Sequence, residues 1–191
     1  ITGIDLMHNI SDYIKIIKNV IPNKLCDDIV KEYANCTQWS RAATRRSESL
    51  EIKEDKHRNC DSLSISVQES NYRQELDREV FDCVVKCMQE YNEHFGWADV
   101  DEDTGYDLLR YKTGGYYKQH VDSFILEPRL LSCSLALNND YKGGEFYFFD
   151  RELKYTLDKG DALMFPSTFL YPHEIGEVTK GTRYSIITWF R

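Results

Sequence analysis

From Tyr106 onward the sequence is cut into short apolar segments, at 106–111, 117–122, 129–138, 145–150, 161–165, 171–176 and 182–190, and no other feature restricts the fold as much. Turn signals separate them: Thr113-Gly114-Gly115, Asn138-Asn139-Asp140, Gly143-Gly144, Lys159-Gly160-Asp161 and Lys180-Gly181. Strands this short and evenly spaced each bury one face, so they must stack as two sheets, in a sandwich or jelly roll. Aromatics make up 13% of the chain, with 13 Tyr and 9 Phe, and such rings pack well on a pleated surface.

The first half reads differently. Tyr13 to Val20 alternates and predicts a strand, which Pro22 ends. Asn23 is placed to cap a helix with Asp27 and Asp28 in its first turn and Leu25, Ile29 and Tyr33 on one apolar face. Residues 37–71 are polar and hold Arg41, Arg45, Arg46, Lys53, Lys56 and Arg58, which reads as a solvated loop or, alternatively, a lid over a site. Leu76, Val80, Val84, Met88, Tyr91 and Phe95 recur at steps of four and three and predict one long amphipathic helix over 71–95, a core stripe. The acidic turn 99–103 lacks the spacing and glycine of a calcium loop. The expected class is therefore α+β, mainly β: a double-stranded β-helix (jelly roll) with supporting N-terminal helices, residues 1–191 forming one domain.

Charge and cysteine usage narrow the function. The net charge of −8 argues against nucleic acid and against an anionic membrane surface. No apolar run is long enough to span a bilayer. Residues 1–9 lack the basic and apolar blocks of a signal peptide, so a cytoplasmic location is expected. Cys26, Cys36, Cys60, Cys83, Cys87 and Cys133 form no CxxC pair and read as buried free thiols in a reducing compartment.

Of the five histidines, His8, His57, His94, His120 and His173, the last two lie in the strand-rich half. His120-Val121-Asp122 is an HxD triplet, and residues two apart on a strand share a face. His173 falls on a later strand that a jelly roll brings alongside. Two imidazoles and one carboxylate on one face of a metal suit non-haem iron(II): they leave three adjacent sites open, two for a 2-oxo acid and one for oxygen. Arg183 stands inside an otherwise apolar strand, where a guanidinium can clamp a carboxylate through two parallel hydrogen bonds, with Ser185 on the same face to add a hydroxyl. No Ser-His-Asp set or paired carboxylates suggest another chemistry.

The run Tyr111-x-x-Gly114-x-x-Tyr117-x-x-His120-x-Asp122 resembles the prolyl 4-hydroxylase-like branch of the iron(II)- and 2-oxoglutarate-dependent dioxygenases. Gly143-Gly144-Glu145, Gly160-Asp161, Phe165-Pro166-Ser167, His173 and Gly181-Thr182-Arg183-Tyr184 follow in that branch's order, and the resemblance covers about residues 10–191. It implies that His120, Asp122 and His173 ligate iron, that Arg183 binds the distal carboxylate of 2-oxoglutarate, and that Tyr111 reaches the same co-substrate. It further implies Tyr117 at the mouth, against substrate, and Trp189 on the pocket floor. Iron(II), 2-oxoglutarate and oxygen are the implied cofactors, with ascorbate as reductant, and a prolyl residue of a peptide or protein is the implied target. One departure stands out: some relatives carry a supporting Tyr on the strand after HxD, whereas this chain has Leu135-Ala136-Leu137, leaving Ser185 or Tyr111 to compensate. The alternatives are the same chemistry on another amino acid or small molecule, and a non-catalytic jelly-roll binding module. Oligomeric state is not legible.

Overall fold

A computed structural model describes residues 9–42, 56–66, 70–96, 100 and 102–191. In chain order its elements are β1 (Lys15–Ile17), α1 (Asn23–Tyr33), β2 (Ser40–Arg41), β3 (Arg58–Asn59), β4 (Asp61–Ser64), α2 (Asn71–Phe95), β5 (Asp107–Lys112), β6 (Tyr116–His120), β7 (Leu131–Ala136) and β8 (Lys142–Gly143). These are followed by β9 (Phe146–Phe148), β10 (Leu153–Tyr155), β11 (Ala162–Pro166), β12 (His173–Ile175), β13 (Val178–Lys180) and β14 (Thr182–Phe190).

A seven-stranded sheet in the order β1-β11-β7-β14-β5-β4-β2 faces a five-stranded sheet in the order β10-β9-β12-β6-β3, with β13 and β8 as a separate ribbon. All the pairings are antiparallel, and the arrangement is the expected jelly roll with helices on one side.

Two apolar layers follow from the alternation of side chains along strands. One lies between the larger sheet and the helices, where Leu108, Cys133, Leu135 and Ile186 meet Leu76, Val80, Val84, Tyr91 and Phe95 of α2 and Leu25 and Ile29 of α1. The other fills the space between the sheets, with Leu109, Tyr111, Phe146, Phe148, Phe165 and Ile187. β14 serves both layers: Ile186 and Phe190 pack toward the helices, while Ile187 belongs to the interior of the sandwich.

Helix α2 has the bounds the periodicity predicts and ends at Gly96, whose φ of 69° supplies the left-handed cap. Met88 is only partly buried, and Cys83 and Cys87 join the buried stripe. Burial pushes the Cys83 thiol up to about 11, and all six cysteines are free.

Several local expectations shift. The strand expected from Tyr13 is a 3-10 turn at Ile10–Tyr13 followed by only three residues of strand, β1, which stands at the sheet edge and among the described residues pairs only with β11. Helix α1 begins at Asn23 with Pro22 at the cap position, so Asp27 and Asp28 fall beyond its first turn. The polar stretch 37–71 contains β2, β3 and β4, and β4 pairs with β5 in the main sheet, so it is not one long loop. A lid reading of 43–55 and 67–69, with Arg45, Arg46 and Lys53, lies outside the described residues. Of the acidic turn, Asp103 accepts hydrogen bonds from the Tyr106 hydroxyl at 2.8 Å and the Gly105 amide at 2.8 Å, a structural role. Among the described residues no helix is long and apolar enough to cross a membrane.

Candidate active site

The pairing of β12 with β6 sets His173 directly across from His120, and the two ring centroids lie 4.2 Å apart. Asp122 is not on the strand as the HxD spacing suggests. β6 stops at His120, and Asp122 lies in a bend two residues on. Side-chain and backbone bonds place it instead: its Oδ2 accepts from Ser132 Oγ at 2.7 Å, and its carbonyl accepts from Arg129 Nη1 at 3.1 Å. Ser132 is hydrogen-bonded in turn to Ser167 at 2.8 Å. The result is convergence: Asp122 Oδ1 lies 3.3 Å from His120 Nε2, and Oδ2 lies 3.7 Å from His173 Nε2.

Ligand atoms from these three residues fall within 4.8 Å of one another, the one such cluster of His, Cys, Asp or Glu among the described residues. Both imidazoles face a backbone carbonyl with Nδ1, His120 that of Lys118 at 2.9 Å and His173 that of Tyr171 at 3.1 Å. A carbonyl only accepts, so Nδ1 carries the proton and each Nε2 lone pair points at the cluster.

Electrostatics favour the same state. Burial and the neighbouring His120 push the His173 ring down to about 4 against the pull of Asp122, so the ring is neutral at physiological pH. Burial opposes charge on Asp122, but His173, His120 and the Ser132 hydroxyl outweigh it and hold the carboxyl well below its ordinary range. Two imidazole nitrogens and one carboxylate oxygen on three inward side chains fit a divalent iron, with room for exogenous ligands.

The cluster opens into a cavity of about 460 Å³ between the sheets, lined also by Tyr111, Tyr117, Arg183, Ser185 and Trp189. Arg183 is 3% exposed, and among the described residues no carboxylate pairs with it. Its Nη1 donates to Ser185 Oγ at 2.8 Å, and its guanidinium carbon lies 5.3 Å from the ring centroids of both Tyr111 and Phe146. Ser185 therefore supports Arg183, while Ala136 sits buried in the sandwich core. Gly144, with φ of 70°, clears the way for this side chain: a Cβ there would come within 3.0 Å of Arg183 Cδ and 2.9 Å of Val178 Cγ2.

Tyr111 is fully buried, and burial first, then Cys60, raises its phenol above the ordinary value, so it remains a hydrogen-bond donor. Tyr117 stacks on His120 at 3.5 Å, with the Arg58 guanidinium 4.5 Å from its ring. Trp189 lies under Arg129, 3.6 Å from guanidinium carbon to ring centroid.

Sequence reasoning gave no role to Ser132, Arg129, Arg58 or Asp107, all close to or within this cavity. A signal for Ser132 existed: in a strand buried on both faces, Ser132 and Ser134 alternate with Leu131, Cys133 and Leu135 and put polar groups on one inner face.

Exposed apolar residues crowd two tight turns beside the segments that carry Asp122 and His173. Ile125 and Leu126 are 97% and 76% exposed at the tip of the Phe124–Glu127 bridge, and Phe169 is 79% exposed just ahead of His173. Backbone bonds from Ser123 to Ser167 (2.9 Å) and from Ser167 to Leu130 (2.9 Å) tie the two turns together.

Comparison with known proteins agrees with the geometry. Residues 106–191 match the model of the 2OG-Fe(II) oxygenase superfamily. A PKHD-type hydroxylase of Idiomarina loihiensis is 36% identical over 88 residues, which cover 43% of this chain and 39% of that relative. The chain thus spans well under two thirds of that relative's length. A prolyl hydroxylase of Trichoplax adhaerens, solved with a peptide fragment of the hypoxia inducible factor oxygen degradation domain, superposes with a TM-score of 0.78 at 18% identity, over 94% of this chain and 84% of that one. A Pseudomonas putida prolyl-4-hydroxylase gives a TM-score of 0.71 at 17% identity, over 94% and 92%. The resemblance to the prolyl 4-hydroxylase-like branch of 2OG-Fe(II) oxygenases is borne out, as is the jelly-roll fold.

Proposed function

We propose that this protein is an iron(II)- and 2-oxoglutarate-dependent dioxygenase that hydroxylates a C–H bond, its favoured target a prolyl residue in a peptide or protein. The observation that carries this reading is the pairing, in one cavity, of a His-Asp-His cluster with a buried guanidinium that has no carboxylate partner among the described residues. A lone buried cation is costly unless an anion completes it, and a dicarboxylate that also chelates the metal would do so.

In this reading His120, Asp122 and His173 hold the iron, and Ser132 fixes the carboxylate. Arg183, held by Ser185, receives the distal carboxylate of 2-oxoglutarate, and the Tyr111 phenol donates to the same group. When bound, iron and 2-oxoglutarate supply oxidative decarboxylation, with succinate and carbon dioxide as products, and the oxidising power for hydroxylation. Phe146, Phe165 and Ile187 keep the cavity wall apolar and exclude water from the reacting carbon. Tyr117 and Trp189 position the substrate, and ascorbate serves as reductant.

The exposed apolar turns at Ile125-Leu126 and Phe169-Leu170 favour a polypeptide over a small molecule. Contiguous apolar surface beside a cavity mouth marks a contact surface for a larger partner, and Val121 and Phe124 continue it into the cavity lining. The names of the relatives, a PKHD-type hydroxylase and prolyl hydroxylases, point the same way.

The test is succinate release by purified protein supplied with iron(II), ascorbate, 2-oxoglutarate and oxygen. Release by the wild type and its loss in Asp122→Ala support the reading, and a one-oxygen mass gain in a proline peptide identifies the substrate class. No release, together with no 2-oxoglutarate binding under anaerobic iron(II), would replace it with a non-catalytic binding module.

A further inference from the structure

Several charged groups that line the cavity have no part in this scheme, and Asp107 is the acid among them that lies on the same strand face as Tyr111. Asp107 opens β5 on the face it shares with Leu109 and Tyr111, and all three line the cavity. The register with β14 sets Arg183 opposite Tyr111, Ser185 opposite Leu109 and Ile187 opposite Asp107. The cavity wall is therefore a ladder of paired rungs. Arg183 and Tyr111 form its anion-binding end, and Asp107 and Ile187 stand four residues further along, roughly 13 Å away at about 3.3 Å per residue. That distance takes Asp107 past a bound 2-oxoglutarate and onto the stretch of wall left for substrate.

Asp107 is half-buried, yet among the described residues no donor hydrogen-bonds to its side chain and no cation pairs with it. The cations nearest in the cavity have other contacts. Arg129 is held by Glu127 at 3.2 Å and the Asp122 carbonyl at 3.1 Å and stacks on Trp189, and Arg58 Nε bonds Cys60 Sγ at 3.1 Å with its guanidinium over Tyr117. Burial raises the Asp107 carboxyl, and the more distant charges of Arg58 and Arg129 only partly offset this. A carboxylate that has lost water without gaining a donor is unfavourable in the free protein, and a ligand that brings the donor recovers that loss.

We propose that Asp107 is a specificity-determining residue that accepts a hydrogen bond from a nitrogen of the bound substrate chain. The proposal rests on the oxygenase reading for the placement of co-substrate and substrate in the cavity. Two sources share the chemistry: a peptide or side-chain amide N–H, and the ammonium or guanidinium of a basic residue beside the target.

Binding without turnover tests it. Short labelled peptides with a central proline, flanked by lysine, glutamine or alanine, are titrated by fluorescence polarisation against protein loaded with zinc(II) and 2-oxoglutarate. The variants are Asp107→Ala and Asp107→Asn, and 2-oxoglutarate affinity is measured alongside by calorimetry. The expected result is that Asp107→Ala binds the best peptide about tenfold to a hundredfold more weakly, with 2-oxoglutarate affinity unchanged. Recovery in Asp107→Asn, which retains an acceptor oxygen, assigns an amide donor. Loss in both variants, confined to lysine-bearing peptides, assigns a cation. Unchanged peptide affinity in Asp107→Ala, a joint loss of peptide and 2-oxoglutarate affinity, or a wild type that binds no peptide of the panel overturns the proposal. Failure of the oxygenase reading is separable, since a wild type that binds peptide through Asp107 but releases no succinate with iron(II) loses only the catalytic claim.

Discussion

Replacing Arg183 by methionine should make the protein more stable when empty and, in the proposed reading, less responsive to 2-oxoglutarate. Arg183 is 3% exposed, and among the described residues its guanidinium has one hydrogen bond, to Ser185 Oγ at 2.8 Å, and two ring contacts at 5.3 Å. Those contacts contribute about 1 kcal/mol for the hydrogen bond and about 0.5–1 kcal/mol for each ring, because 5.3 Å lies near the outer limit of such contacts. Against them stands an effective penalty of several kcal/mol for burying one ion. Methionine keeps the unbranched stem beside Gly144 and removes the charge, so the net gain is about 1–2 kcal/mol. At about 2–4 °C per kcal/mol for a chain of this size, the empty variant should melt about 2–8 °C above the wild type. Adding 2-oxoglutarate at a hundred times its Kd should stabilise the wild type by about 2.7 kcal/mol and the variant by a small fraction of that. Thermal melts with manganese(II) in place of iron, with and without 2-oxoglutarate, read both effects. A variant that melts below the wild type when empty would show that the guanidinium is a net structural element. An equal ligand-induced shift in both proteins would remove Arg183 from the co-substrate site.

Ser132→Ala should fold normally yet bind iron(II) or zinc(II) about ten- to a hundredfold more weakly, because Asp122 Oδ2 loses its 2.7 Å hydroxyl donor; metal titration with a competing chelator measures this. Gly144→Ala places a Cβ at a φ of 70° and within 3.0 Å of Arg183 Cδ, so it should cost on the order of 1 kcal/mol or more and weaken 2-oxoglutarate binding, read by melts and calorimetry. Leu126→Asp, at a position 76% exposed, should leave the melting temperature and peptide-free succinate release unchanged while raising KM for a peptide substrate; an unchanged KM would detach the apolar turns from substrate binding.

The parts of the fold visible in the sequence are those where one periodicity runs long enough to decide itself. Helix α2 carries its stripe through 25 residues, and its start and end agree with the pattern. β14 is a nine-residue strand buried on both faces for most of its length, in which Arg183 and Ser185 stand out as buried polar residues. Where elements are short, partner strands rather than local pattern decide. β2, β3 and β4 sit in a polar stretch with few apolar anchors, and β3 and β4 become strands because β6 and β5 offer them unpaired edges. β8, β10 and β13 have two or three residues each, too few for any alternation to register.

The same division governs the site. His120 and His173 were legible because each ends or begins a strand whose spacing fixes its face, and the cross-strand register completes the pair. Asp122 was legible as a residue but not as a geometry: strand alternation would put it beside His120, whereas the chain has already turned and Ser132, from a strand ten residues on, holds it in place. Asp107 carried no signal at all, since an acid at the start of a strand ordinarily faces water. Only the register of β5 against β14 shows that it shares a wall with Arg183. If Asp107 accepts a hydrogen bond from the substrate chain, as proposed, it orients that chain as well as holding it, because reversing the chain would remove the donor, while Arg183 at the other end of the wall is left to the co-substrate. That polarity is a property of two paired strands, so it can be altered at Asp107 without touching the metal cluster.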